Sequence, residues 1–125
     1  MRPEIAALMK QFYDDLDNHE SVKTDRPSIS GVDSDVYFLN HNEMETAVAD
    51  GSSKRNEFEA KYAVALAEYL VKQGYQTTQI TILVMYLGQR QLIAKMAKPK
   101  RNLHGVRIMV SLVFSKIDLN ELLFR

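Results

Sequence analysis

Thr78-Gln79-Ile80-Thr81-Ile82-Leu83-Val84-Met85-Tyr86-Leu87-Gly88-Gln89 is the stretch on which the reading of this chain turns. Ile80, Ile82, Leu83, Val84 and Met85 make a short, nearly unbroken apolar run rich in β-branched residues. That is the pattern of a strand buried on both faces of a parallel sheet. Residues 86–89 follow at once, and a helical pattern begins. In open α/β sheets ligands sit in the turns beyond the carboxyl ends of the strands. The turn from Tyr86 to Gln89 is therefore the first place to look for a binding site.

Upstream, residues 54–73 read as the strongest helix. Phe58, Tyr62, Ala65, Leu66, Tyr69 and Leu70 recur at helical spacing and predict one continuous apolar stripe, with Gly74 as the residue that closes the helix. Asn56 and Glu59 at its start have the spacing of a capping box, in which each residue satisfies a backbone N–H of the other. Two glutamates in the first turn argue against a phosphate there. Downstream, residues 89–97 predict a short helix with Leu92, Ile93 and Met96 inward, stopped by Pro99. Lys98, Lys100 and Arg101 then form a basic loop, and residues 106–110 predict a third strand. Residues 2–17 predict an amphipathic helix with Pro3 at its first position. Asp14, Asp15 and Asp17 at its carbonyl end oppose the helix dipole and predict fraying. Residues 18–34 read as a loop turning at Pro27 and Gly31. Val36, Tyr37, Phe38 and Leu39 predict a first strand, and residues 43–53 show no pattern. The tail, residues 111–125, stays unplaced. Alternating strands and helices point to an α/β domain with a mainly parallel sheet.

The composition excludes several classes. With 125 residues the chain is one domain or part of one, and long enough to bury a core. No apolar run approaches the ~20 residues needed to span a bilayer, and no secretory leader pattern opens the sequence. Without cysteine there is no disulfide scaffold and no thiolate zinc site, so an intracellular location, cytoplasmic or nuclear, is expected. Residues 1–50 hold 4 Lys+Arg against 11 Asp+Glu, and residues 51–125 hold 12 against 5. Either the basic half faces a nucleic acid or the two halves neutralise each other.

Chemistry-bearing motifs are sparse. There is no G-x-x-x-x-G-K-[ST] and no G-x-G-x-x-G. His19, His41 and His104 lack metal-ligand spacing, and no serine sits in a G-x-S-x-G elbow, so no catalytic or metal residues are assigned. Tyr86 either stacks on a base or packs at the core rim. Gly88 either offers a helix N-terminus to a phosphate or serves only the turn. The basic residues Lys95, Lys98, Lys100, Arg101, His104 and Arg107 either follow a nucleic-acid backbone or form a solvated loop.

Several separated features together resemble one family. Met1-Arg2-Pro3-Glu4-Ile5, then Asn56-x-x-Glu59-Ala60, then Ile80-x-Ile82-Leu83-x-x-Tyr86-x-Gly88-Gln89, then Gly105-Val106-Arg107-Ile108 occur in order. Residues 1–110 resemble part of the second RecA-like domain of superfamily 1 helicases of the nonsense-mediated-decay type. They look most like those that carry NFX-type zinc fingers and act in RNA silencing and antiviral defence. The resemblance implies an incomplete RecA-like, P-loop NTPase-type α/β domain, with its parallel sheet flanked by helices. It implies ATP and Mg in the full-length family, held against a first RecA-like domain, and single-stranded RNA or DNA as partner. It places Tyr86, Gly88 and Gln89 in the nucleic-acid channel, with Lys98, Lys100, Arg101 and Arg107 beside them. Val84 stands where the family commonly has threonine, which removes a hydroxyl contact to a phosphate. The family's first ATP-contacting arginine precedes Met1, and after Ile108 the chain departs from the pattern. The resemblance therefore implies no ATP hydrolysis by this chain alone. A non-catalytic α/β interaction module is the alternative, and marginal stability is expected of an incomplete sheet.

Overall fold

A computed structural model describes residues 3–10, 12, 27–49, 51 and 53–111. Two units make up the chain, Met1–His41 and Asn42–Arg125. In the first, helix α1 spans Pro3–Met9 with Ala6 buried, so its start agrees with the expectation at Pro3. The three aspartates expected to fray its end lie outside the described residues. A turn at Ser30 and Gly31 is closed by Asp35, whose Oδ1 accepts from the Ile29 N–H at 2.6 Å. The strand expected over residues 36–39 does not form, and Tyr37 and Phe38 are 71% and 85% exposed. Their β propensity is realised only against the edge of a neighbouring strand, and no ladder reaches them.

The second unit holds the strand-end stretch. Strand β1 (Thr46–Ala47) pairs antiparallel with β2 (Lys54–Arg55), and helix α2 (Glu57–Lys72) follows. A 3₁₀ turn at Thr77–Gln79 leads into β3 (Thr81–Val84), then α3 (Leu87–Ala97), a 3₁₀ turn at Arg101–Leu103, and β4 (Arg107–Val110). β3 and β4 pair in parallel, Thr81 opposite Arg107 and Val84 opposite Val110, with α3 as the connection between them. Mixed α/β architecture with a parallel pair is thus observed. The tail from residue 112 onward lies outside the described residues.

Two expectations about burial are corrected. β3 is covered on one face only: Ile82 and Val84 turn inward, while Leu83 is 63% exposed. The stripe of α2 is also largely displaced. Its buried residues are Ala60, Val64 and Ala67, whereas Phe58, Ala65, Leu66 and Tyr69 face outward; of the six expected residues Tyr62 is half-buried and Leu70 packs against the core. Small side chains on the inner face let α3 approach closely, and Ile93 fills the space between the helices at 1% exposure. The end of α2 follows expectation. Gly74 takes φ +100°, its N–H donates to Val71 O and that of Tyr75 donates to Leu70 O, the two bonds of a Schellman cap. At the outer edge of β4, Arg90 Nε donates to Ile108 O at 3.1 Å, occupying a carbonyl that a further strand would need.

Candidate nucleic-acid interface

Tyr86 is the last residue before α3 and holds extended backbone angles, φ −121° and ψ 142°. Its side chain is 45% exposed, since the strand ends before the core closes over it. Beside it lies a cleft of about 380 Å³, floored by Ile82, Val84 and Ile93 and walled by Lys54, Arg55 and Glu59.

The two residues after it in the motif have a different setting. Gly88 is buried, and its N–H donates to Ser53 Oγ at 2.9 Å. A Cβ there would lie 2.7 Å from Val48 Cγ2 and 3.1 Å from Lys54 O, so the turn admits only glycine without displacing the hairpin. Gln89 is 7% exposed and turns its carboxamide on Asn56. Oε1 accepts from the Asn56 N–H at 2.8 Å and Nε2 donates to Asn56 O at 3.0 Å. The amide side chain thus copies the paired bonds of a neighbouring strand.

Asn56 is the hub of this corner. Its Oδ1 accepts from the Glu59 N–H at 3.1 Å, the expected N-cap bond, and its Nδ2 donates to Glu43 O at 2.9 Å. The expected return bond of a capping box, to the Asn56 N–H, is taken by Gln89 instead. Asn56 therefore ties the start of α2, the approach to β1 and the first turn of α3 together.

The basic residues read from the sequence lie elsewhere. Lys98 caps the far end of α3, whose 11 residues span about 16 Å. Arg101 and Arg107 are exposed at that same end, Arg107 being the first residue of β4. The structure therefore brings Tyr86, Gly88 and Gln89 together and sets Lys98, Lys100, Arg101 and Arg107 at the opposite end of the parallel pair. Lys100 is also engaged, its Nζ 2.8 Å from Glu68 Oε2 on α2. The hydrogen bond from Lys100 holds the Glu68 carboxyl below its ordinary pKa. A lowered carboxylate pKa stabilises the fold above the ordinary carboxylate range, and that contribution is lost as pH falls through the lowered value. Glu68→Gln is expected to flatten the acid limb of a urea-midpoint profile. An unchanged acid limb would assign it to other carboxylates.

Sequence reasoning missed Ser53, Lys54 and Arg55, which it placed at or before the helix start. In the structure they belong to the hairpin that forms one wall of the cleft. Lys54 pairs with Glu45 across the hairpin, and that hydrogen bond raises the ammonium pKa above its ordinary value. Among the described residues no group of His, Cys, Asp and Glu could hold a metal ion, and no helix is long and apolar enough to cross a membrane.

The parallel pair, its helical connection and the strand-end turn accord with what family comparison finds. A model described as an AAA domain matches residues 1–114, and the chain belongs to that family. Among individual proteins, it is 40% identical over 111 residues to the NFX1-type zinc finger-containing protein 1 of Mus musculus and equally to that of Homo sapiens. Each match covers 88% of this chain and 6% of the relative. It is 36% identical over 104 residues to the Helicase required for RNAi-mediated heterochromatin assembly 1 of Schizosaccharomyces pombe, covering 82% of this chain and 10% of that protein. The chain therefore spans a small fraction of the curated relatives it matches. No solved structure matches it.

Proposed function

We propose that this chain is part of the second RecA-like motor domain of a superfamily 1 helicase of the nonsense-mediated-decay type, and that it contributes to a single-strand channel. The observation that carries the reading is an exposed aromatic ring, Tyr86, at the carboxyl end of a parallel strand and beside a cleft. Strand ends of this kind are where α/β sheets hold ligands, and aromatic faces are where unpaired bases stack. A relative named as a helicase supports the same reading, and its name is the ground for proposing a link to RNA silencing. Gly88 and Gln89 serve the channel by fixing the turn beneath Tyr86. Lys98, Lys100, Arg101 and Arg107 form a second, distal basic patch along the strand's path. The partners are single-stranded RNA or DNA and a first RecA-like domain, in a cytoplasmic or nuclear setting.

ATP and Mg belong to the whole motor in this reading. In the strand-end turn the Gly88 N–H is bonded to Ser53 Oγ and is not offered to a phosphate. Fluorescence anisotropy of the chain with a short labelled RNA tests the proposal. Binding at low salt that weakens steeply as salt rises is expected; no change in anisotropy at low salt overturns it. A second reading, a non-catalytic α/β interaction module, draws on the apolar side chains of Leu83 and Met109, left uncovered on the outer face of the parallel pair.

A further inference from the structure

We infer that the β1–β2 hairpin supplies the cationic half of the strand-end site. Lys54 and Arg55 meet the phosphates flanking one unstacked base, and that base lies against Tyr86 over the apolar floor of the cleft. The inference deepens the nucleic-acid reading above and rests on it.

Three observations lead there. First, the cleft places Lys54 and Arg55 on the wall shared with Tyr86, whereas the basic residues legible in the sequence are a helix length away. Second, the cleft combines an apolar floor with a rim of balanced charge, Lys54 and Arg55 against Glu45 and Glu59. A flat, uncharged ring gains from the floor and from the Tyr86 face, and its flanking phosphates can reach the exposed cations at the rim. Lys54 pairs with Glu45, and an exposed pair of this kind is cheap to exchange for a phosphate.

Third, the hairpin is pinned to the turn that carries Tyr86. Ser53 Oγ receives the Gly88 N–H, Gln89 brackets the Asn56 backbone, and Asn56 Nδ2 holds Glu43 O just before β1. Both ends of the hairpin are thereby tied to α3 and α2. Gly88 lets the hairpin approach closely: a Cβ there would lie 3.1 Å from Lys54 O and only 2.7 Å from Val48 Cγ2. Gly88 and Gln89 are positioning residues: they set Lys54 and Arg55 opposite Tyr86.

The test is anisotropy with a labelled eight-nucleotide oligouridylate across a salt series, using the full chain. Tyr86→Ala is expected to weaken binding about tenfold, and Tyr86→Phe to retain it, because stacking needs the ring and not the hydroxyl. The combined Lys54→Ala and Arg55→Ala variant is expected to lower the slope of log K against log salt by about 1.4, from ~0.7 per single-strand phosphate contact. Both residues are exposed, so the variant keeps the fold, which a circular-dichroism melt checks. Glu45→Gln, which releases Lys54, is expected to tighten binding. If Tyr86→Ala weakens binding while the hairpin variant leaves affinity and slope unaltered, the hairpin inference is overturned and the channel reading stands. If the wild-type chain does not bind at low salt, both fall.

Discussion

Ile93→Ala is expected to lower the free energy of unfolding by about 2–5 kcal/mol, the range for truncating a large aliphatic side chain in a packed core. Ile93 is the largest fully buried side chain among the described residues, and the α2 residues around it, Ala60, Val64 and Ala67, are small. Small neighbours on a rigid helix have few rotamers with which to fill a void, so most of the cavity would persist. The remaining buried aliphatics of that cluster, Ile80 and Leu103, come from the segment before β3 and from the turn before β4. Neither can move inward without dragging the parallel pair. A shift of the urea midpoint at unchanged slope is the expected signature. A loss under about 0.5 kcal/mol would mean that α2 and α3 can close the gap, and that the packing between them is looser than their geometry indicates.

The same helix shows why part of the fold was legible and part was not. Punctuation was local and therefore readable: Asn56 caps α2, Gly74 ends it in a left-handed conformation, and Pro99 follows the end of α3. Each depends on residues within a turn or two. Which face of α2 is inward is not local. The periodic stripe of large apolar residues marks the face with the greatest apolar bulk, yet the inner face is decided by how near α3 must come. Close approach selects Ala60, Val64 and Ala67 over Phe58, Leu66 and Tyr69. The hairpin was illegible for a related reason. Thr46, Ala47, Lys54 and Arg55 are all exposed and show no alternation. Its place is set by Gly88 and Gln89, about 35 residues further along the chain.

The binding turn was legible as a location and misleading as a set of contacts. Tyr86, Gly88 and Gln89 do form one corner, as their spacing predicts. Only Tyr86 presents its side chain outward; the other two are buried beneath it. The basic residues were grouped by nearness in sequence to α3. A parallel strand–helix–strand unit sends the loop after its helix to the amino ends of the strands, so Lys98 and Arg101 are carried away from the turn that Tyr86 opens.

Gln89→Leu should separate the two roles this corner could play, because leucine preserves much of the volume and removes both hydrogen bonds. The Asn56 N–H would lose its acceptor, and Asn56 O would keep only the Ala60 N–H at 3.1 Å. An unsatisfied buried donor costs about 1–3 kcal/mol, and the weakened acceptor adds to it, so a loss of about 2–4 kcal/mol is expected. Gln89→Glu supplies the finer test. A protonated glutamic acid can reproduce both bonds, its carbonyl oxygen accepting from the Asn56 N–H and its O–H donating to Asn56 O. An ionised carboxylate has no hydrogen to give, and sets a negative charge against that carbonyl. The protonated form is therefore favoured by folding, which raises the carboxyl pKa in the folded state. Stability contributed by the protonated form is fully present below the unfolded-state pKa and is lost as pH rises through the raised folded value. The expected result is a Gln89→Glu chain close to wild type in acid and destabilised at neutral pH, with the Gln89→Leu chain destabilised at both. If Gln89 instead faced an open channel, ionisation would cost the fold nothing, and the stability of Gln89→Glu would track the wild type across the whole range.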